Sequence, residues 1–212
     1  MEYPYECTEQ IFNKFYANAL ASHVANSTPK IKQIFESWKG TDAMKSNLSK
    51  NQELKSVLLE ETPWVLDAQS EEQQRRNIAL LFDLNKMSNE KSKLLKVLTE
   101  RQLSNGGFSW FPGGRDSWYI TQYLVEGIGH LQTLGIDMNS PELNQILQNA
   151  VRYIDDRVVE HYNNAKKYNK DPDLSGMSIH YLYARSFFTQ YDFNSKTQKV
   201  LKHYQNKAKT QW

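Results

Sequence analysis

The chain has 212 residues, with 26 Lys and Arg against 24 Asp and Glu, and its net charge of +2 gives no electrostatic basis for binding nucleic acid or an anionic membrane. No basic and apolar leader of a signal peptide is visible, and no apolar run reaches the ~18–20 residues of a membrane span. A single cysteine, Cys7, excludes an internal disulfide and a multi-cysteine zinc site, and 9 Gly and 6 Pro are few for a turn-rich all-β fold.

The first half of the chain has helical periodicity. Apolar residues recur at positions i, i+3 and i+4, as on one face of an α-helix, and alternating runs are only a few residues long. Pro29, a capping box from Ser70 to Gln73 and an N-cap at Ser88 mark three helix starts. Gly106 and Gly107 end the last of these helices. The predicted helices span residues 11–24, 31–38, 52–60, 70–84 and 88–103.

The second half begins with an irregular segment, residues 108–116, and continues with helices. A strongly apolar helix is predicted over residues 117–134, with Gly135 as its C′ residue. Ser140 followed by Pro141 predicts the next helix start. That helix is expected to reach residue 168, and two more are predicted over residues 178–191 and 196–209. About eight helices joined by short loops indicate an all-α fold of antiparallel helical hairpins.

Cys7 and Gln10 carry the strongest chemical signal in the chain. Pro4 and the apolar stripe from Ile11 place them at a helix start, where residues i and i+3 share a face. A thiolate beside a carboxamide carbon can attack it with loss of ammonia, which gives an internal thioester. The helix dipole favours the thiolate, and free amides at the helix start are expected to stabilise the tetrahedral oxyanion. The spacing also fits a simpler interpretation, in which Cys7 is a small buried residue.

Residues 3–10, Tyr-Pro-Tyr-Glu-Cys-Thr-Glu-Gln, resemble the thioester motif of the alpha-2-macroglobulin and complement family, in which Cys-x-Glu-Gln follows an upstream proline. Segments 61–67, 81–85, 105–114 and 181–185 are similar to landmarks of the thioester domain in large bacterial alpha-2-macroglobulins, and they occur in the same order. The chain departs from the family pattern at Glu6, where Gly is frequent, and at Thr8, where Gly or Leu is common.

The resemblance implies a single thioester domain, residues 1–212, of a larger multidomain chain. The implied fold is an α/α toroid of the terpenoid-cyclase type, incomplete at its C-terminus. The implied function is protease inhibition and not enzyme catalysis: a lysine amine of the protease attacks the Gln10 acyl carbon, and Cys7 leaves as thiolate. The expected partners are target proteases and neighbouring domains of the parent chain, with no nucleic acid, membrane contact, cofactor or metal. The parent protein is expected in the periplasm or outside the cell.

The resemblance also places residues 106–119 against the thioester. Glu9 belongs to the motif, and Asp116 is a candidate weak base. The three aromatic side chains of this stretch are expected either to shield the bond from water or to be core residues between helix ends. No residue from 106 to 119 is the histidine that takes over the acyl group in complement-type relatives, so transfer to amines and not to hydroxyls is expected. The aromatic residues are Phe108, Trp110 and Phe111.

Two alternatives stay open at this point. Helical-hairpin toroids also serve as cyclases and glycosidases, but no aspartate-rich cyclase motif is present, and Asp155 and Asp156 diverge on a helix instead of facing each other across a substrate. The second alternative is a family member that has kept the fold and lost the bond. Four histidines have no His or Cys partner at ligand spacing, which favours structural roles: His23, His161, His180 and His203.

Overall fold

The computed structural model describes residues 6–27, 30, 33, 37, 84–169 and 171–210. Within these residues the fold is predominantly helical, with one two-stranded sheet, as the all-α prediction requires. The predicted helices at 31–38, 52–60 and 70–84, and the landmarks at 61–67 and 81–85, lie wholly or largely outside the described residues. The elements are α1 (Thr8–Ser27), α2 (Leu84–Arg101), β1 (Phe108–Ser109), β2 (Asp116–Ser117), α3 (Trp118–Thr133), α4 (Pro141–Lys166), α5 (Gly176–Ser186) and α6 (Ser195–Thr210).

The chain divides into two compact units. One unit comprises Met1–Tyr16 together with Lys93–Trp212, and the other comprises Ala17–Ser92. The core and the candidate site described below belong entirely to the first unit.

Capping residues set the bounds of α3 and α4; the sequence predicts Gly135 and Ser140 in these roles and places Ser117 inside its helix. The Ser117 hydroxyl accepts a hydrogen bond from the Ile120 amide at 3.3 Å, so α3 begins at Trp118. Gly135 follows the C-cap with a φ of 76°, which a residue with a side chain rarely adopts. Ser140 accepts from the Leu143 amide at 3.1 Å, and Pro141 is the first residue of α4. The predictions for Gly135, Ser140 and Pro141 are confirmed, α3 begins one residue later than predicted, and α4 ends two residues before the predicted position.

The predicted N-cap at Ser88 is wrong. The helix α2 begins by Leu84 and continues through Ser88 to Arg101. No Gly or Pro interrupts this stretch, and one Ser inside a helix costs too little to end it. The helix ends before the predicted residue 103 because Gln102 leaves it to form a β-bridge with Phe108.

The bounds of α5 also differ from the prediction. Ser175, not a later residue, is the N-cap, and it forms a capping box with Ser178 at N3, so the helix begins at Gly176. It ends at Ser186, five residues before the predicted end. The chain turns there because Arg185 binds the carbonyls of Phe188 and Tyr191.

Much of the core of the described residues lies among the four C-terminal helices, and α1 adds Phe12 and Phe15 to it. α3 packs against α4 and α5, α4 packs against α6, and α5 contacts both α4 and α6. The buried side chains recur at intervals of three and four residues, which is the helical period that the sequence displays. They include Leu124, Ile128 and Leu131 on α3, Leu147, Val151, Ile154 and Val158 on α4, Tyr181 and Ala184 on α5, and Val200 and Tyr204 on α6.

A buried ion pair joins α4 to α5. Arg185 Nε donates to Asp155 Oδ1 at 3.1 Å, and the Tyr181 hydroxyl donates to the same oxygen at 2.7 Å. The side chains of Arg185 and Asp155 are 1% and 8% exposed. Burial raises the pKa of Asp155, while the Tyr181 hydrogen bond and the Arg185 charge act to lower it. Through Arg185, this carboxylate fixes the turn that follows α5.

The irregular segment is closed by the short sheet. β1 and β2 pair antiparallel, with Phe108 opposite Ser117 and Ser109 opposite Asp116. The Phe108 amide donates to Thr121 Oγ1 at 2.9 Å, which ties β1 to the first turns of α3. The loop between the strands, residues 110–115, is thereby held beside the start of α3.

Candidate functional site

Cys7 and Gln10 form a reciprocal cap at the start of α1. Because α1 begins at Thr8, Cys7 is the N-cap residue and Gln10 is N3. The Gln10 amide donates to Cys7 Sγ at 3.4 Å, and the Cys7 amide donates to Gln10 Oε1 at 3.0 Å. This is a capping box in which sulfur takes the place of a Ser or Thr hydroxyl. The cap brings the thiol and the carboxamide onto one helical turn.

The same cap provides an oxyanion donor. If Cys7 Sγ attacks the carboxamide carbon of Gln10, negative charge develops on Oε1, which already accepts the Cys7 N–H. Cys7 is only 9% exposed, so bulk water has little access to its sulfur. The arrangement therefore combines a nucleophile, an electrophilic carbon and a hydrogen-bond donor within four residues.

Thr8 ties this turn to two distant segments. Its amide donates to the Trp110 carbonyl at 2.8 Å, and its hydroxyl accepts from Arg101 Nη1 at 3.3 Å. Thr8 itself is fully buried. The sequence predicts free amides at the helix start, but the Thr8 amide is not free, because the loop carbonyl occupies it. Cys7, not Thr8, supplies the donor for Gln10.

The aromatic residues of the loop lie at different depths. Phe108 is fully buried, whereas Trp110 and Phe111 are 41% and 51% exposed. The Trp110 ring stacks on Tyr119, with centroids 6.0 Å apart, and Tyr119 stacks on Tyr123 at 6.3 Å. The backbone of Trp110, through its carbonyl, makes the contact with the Cys7–Gln10 turn, and its side chain extends a partly exposed row of rings.

Close packing of α1 on α3 positions the Cys7–Gln10 turn. A Cβ added to Gly127 would lie 2.5 Å from a ring carbon of Phe12, so only glycine allows this approach. Phe12 is 2% exposed, and the Tyr123 hydroxyl donates to Asn13 Oδ1 at 2.6 Å one residue further along α1. Gly127 thus determines how closely α1 approaches α3, and with it the position of the N-terminal cap of α1.

The chain gives no significant match to any protein-family model, curated protein or solved structure.

Asp116 forms its contacts away from the Cys7–Gln10 pair, whereas Glu9 lies within the same helical turn as the pair. The Tyr153 hydroxyl donates to Asp116 Oδ2 at 2.5 Å, and Arg157 Nη2 lies 3.7 Å from the same oxygen. Burial, together with the hydrogen bond and charge of Asp116, raises the pKa of Tyr153. Glu9 is half-buried at N2, and its charge adds to the effect of burial in raising the pKa of Tyr123. Among the described residues, no hydrogen bond or ion pair joins Asp116 to Cys7 or Gln10.

Two histidines share a carboxylate beside the aromatic row, where the His180 ring lies 5.8 Å from the Tyr119 ring. His180 Nε2 lies 2.7 Å from Glu126 Oε2, and His130 Nε2 lies 3.8 Å from Glu126 Oε1. His130 is also 2.8 Å from the Tyr183 hydroxyl. Sequence spacing gives His180 no partner, because Glu126 lies 54 residues away in the chain.

Arg101 is the functional candidate that sequence reasoning misses. It lies 93 residues after Thr8, and a basic residue in the last turn of a helix is ordinarily explained by the helix dipole. Nothing in the local pattern distinguishes it from the neighbouring Lys96.

The described part of the chain contains no group of three or more His, Cys, Asp or Glu side chains arranged to hold a metal ion. Among the same residues, no helix has the length and apolar character needed to cross a membrane.

An open cleft of about 540 Å³ lies on another face, and its lining includes Asp155, Asp156 and Asp192. Asp155 is buried and bound to Arg185, while Asp156 is exposed. The adjacent pair diverges, as its helical spacing predicts, so it does not provide two carboxylates facing one substrate.

Proposed function

We propose that this chain is the thioester domain of an alpha-2-macroglobulin-like protease inhibitor, in which Cys7 and Gln10 form an internal thioester that acylates lysine amines of a trapped protease. The observation that carries the proposal is the reciprocal pair of hydrogen bonds between Cys7 and Gln10. The resemblance of residues 3–10 to the family motif supports it independently.

The chemistry follows from the cap. Bond formation joins Cys7 Sγ to the Gln10 acyl carbon and releases ammonia. In the opening step, a neutral lysine amine attacks that carbon, the carbon–sulfur bond breaks, and the electron pair stays on sulfur. The amine proton goes to solvent, and the protease stays attached through an amide. Since the thioester is consumed, each molecule acts once and there is no turnover. The partners are proteases and the neighbouring domains of a periplasmic or extracellular parent protein.

An α/α toroid is the finer architecture that we propose with this function. In such a toroid, helices of successive hairpins alternate between two concentric layers, so each helix contacts its hairpin partner and the helix two positions along the chain. Contacts of α3 with α4 and α5, and of α6 with α5 and α4, support that arrangement. In this proposal α3 and α5 belong to one layer and α4 and α6 to the other.

The test is the intact mass of the full-length protein that contains this chain. The freshly purified protein should be lighter than its sequence mass by one ammonia. Methylamine should then add to Gln10 and release one thiol at Cys7. Limited proteolysis should produce a protease adduct that survives denaturation, and prior methylamine treatment should prevent it.

Two variants separate thioester chemistry from helix capping. Cys7→Ser keeps a capping box with an oxygen in place of sulfur, and Gln10→Glu keeps a side chain that can accept the residue 7 amide. Both should fold with nearly unchanged stability, yet neither should lose ammonia or form the protease adduct. A parent protein with full sequence mass and a thiol that is always free would contradict the proposal and favour a purely structural cap.

A further inference from the structure

Arg101 is the cation that the fold brings next to the Cys7–Gln10 turn. Its Nη1 lies 3.3 Å from Thr8 Oγ1, and Thr8 is both fully buried and adjacent in sequence to Cys7. The contact joins the last residue of α2 to the first residue of α1. A guanidinium held at this point lies at the N-terminal end of α1, where the helix dipole already favours negative charge.

The electrostatics of Arg101 point to the sulfur. Burial lowers the pKa of Arg101, and the charges of Cys7 and Glu6 act in the opposite direction. A partly desolvated guanidinium gains most from an anion within reach. Of the two acidic groups near Arg101, Cys7 and Glu6, Glu6 already forms an ion pair with Lys14. The Cys7 sulfur carries charge only when the thiolate forms.

We propose that Arg101 stabilises the Cys7 thiolate as it leaves, and thereby sets the rate at which an amine opens the bond; this inference rests on the proposed function. In the intact thioester the sulfur is neutral, so the guanidinium gains little there. As the carbon–sulfur bond breaks, the electron pair moves onto Sγ and the attraction grows. An interaction that strengthens along the reaction lowers the barrier, whereas one that is equal in both states does not.

The first measurement is methylamine-dependent thiol release in the full-length protein. Removing one fully buried donor from a developing anion costs ~10²–10³ in rate, and because Arg101 is only partly buried we expect Arg101→Gln to slow release about tenfold. Arg101→Lys should retain most of the rate, because it keeps the charge. Arg152→Gln removes the same charge from an exposed position on α4 and should leave the rate unchanged.

Thr8→Val is the matched control for a structural role. It removes the hydroxyl that Arg101 binds and retains the guanidinium charge. If Arg101 acts through its charge, Thr8→Val should change the rate much less than Arg101→Gln does. Losses in Thr8→Val and Arg101→Lys that are both as large as the loss in Arg101→Gln would mean that Arg101 only holds the helix start in place, which would overturn the inference.

The second measurement does not depend on the thioester. In the 212-residue chain with Cys7 as a free thiol, the rate of reaction with an anionic aromatic disulfide is divided by the rate with a neutral dipyridyl disulfide. This ratio should fall in Arg101→Gln and stay near the value of the unsubstituted chain in Arg101→Lys, and high salt should reduce the difference between the unsubstituted chain and Arg101→Gln. An unchanged ratio in Arg101→Gln would refute the charge effect even if the parent protein forms a thioester. A parent protein without ammonia loss would instead refute the proposed function, and the ratio would still report whether Arg101 acts on the sulfur.

Discussion

Replacing Arg185 by methionine tests the buried ion pair between α4 and α5. Methionine keeps much of the apolar volume of the side chain and removes its charge. The Asp155 carboxylate then stays buried with Tyr181 as its remaining donor. The carbonyls of Phe188 and Tyr191 lose their donor as well.

The magnitude follows from these losses. Removing one member of a buried ion pair costs about 3–5 kcal/mol, and each orphaned carbonyl adds roughly 1 kcal/mol where water cannot replace the donor. Since Tyr191 is half-buried and accessible to water, only the Phe188 carbonyl adds its full share, and we expect a total loss of about 5 kcal/mol at neutral pH. This is a large part of the ~5–15 kcal/mol that stabilises a typical native protein.

The loss should depend on pH. Burial already raises the pKa of Asp155 above its unfolded value, so between these two pKa values the native state binds more protons than the unfolded state. Without Arg185, a charge that lowers the pKa of Asp155 in the native state is gone, so this pH range extends to higher pH. Stability of the variant therefore falls as the pH rises, with a slope of at most about 1.4 kcal/mol per pH unit. The difference from the parent chain should be smaller at about pH 5 than at about pH 7.5.

Urea denaturation followed by circular dichroism measures both effects. Tyr181→Phe removes a single hydrogen bond and should cost only about 1–2 kcal/mol, so it reports on the same site if Arg185→Met fails to fold. Adding Asp155→Asn to Arg185→Met should restore part of the stability by removing the unpaired charge. A loss below about 1 kcal/mol in Arg185→Met, or a loss that is the same at both pH values, would refute this account of the pair.

Three further predictions concern the site and its surroundings. Gly127→Ala should displace Phe12, destabilise the chain by about 1–3 kcal/mol and speed labelling of the Cys7 thiol. Gly129→Ala, at an equally close contact elsewhere on α3, should destabilise the chain without changing the labelling rate. Urea denaturation and the kinetics of thiol labelling compare the two variants. Burial lowers the pKa of His161, so the native state loses stability as the pH falls below ~6.5, and His161→Gln should flatten the stability curve between about pH 5 and 6.5; an unchanged slope would contradict this. In competition between glycerol and methylamine for the protease-activated full-length protein, amide should form almost alone because residues 106–119 contain no histidine, and efficient esterification would overturn that argument.

Local signals in the sequence were enough for most of the helical structure. Ser140 is predicted as a cap because an N-cap depends only on the next three residues, whereas Ser117, the N-cap of α3, is predicted only as the first residue of its helix. The prediction for Ser88 is wrong because it also uses only local residues. A capping residue inside a good helix-forming stretch resembles a helix start, and only the helical residues before it show that the helix has already begun. The early end of α5 was not predictable, since Arg185 turns the chain through its bonds to the Phe188 and Tyr191 carbonyls and not through a Gly or Pro.

The candidate site also has a part that the local sequence predicts and a part that depends on the fold. The pairing of Cys7 with Gln10 is local, and a spacing of three residues predicts it. The contacts of Thr8 with Arg101 and with the Trp110 carbonyl join segments far apart in the chain, and a backbone carbonyl leaves no trace in residue identity. Sequence patterns therefore identify the Cys7–Gln10 pair that we propose to react, while the residues that contact its turn emerge only from the fold.

The hydrogen bond between Arg101 and Thr8 has a consequence for synthesis on the ribosome. The thiol of Cys7 is translated first, and the arginine follows 93 residues after Thr8. At ~5–20 residues per second, the nascent thiol waits roughly 5–20 s before that partner exists, and longer before the Trp110 carbonyl can fold against it. During this interval the sulfur is open to oxidants and to other thiols. Expression under reducing conditions, or slower transfer to an oxidising compartment, should therefore raise the fraction of molecules that reach the folded state with an intact thiol.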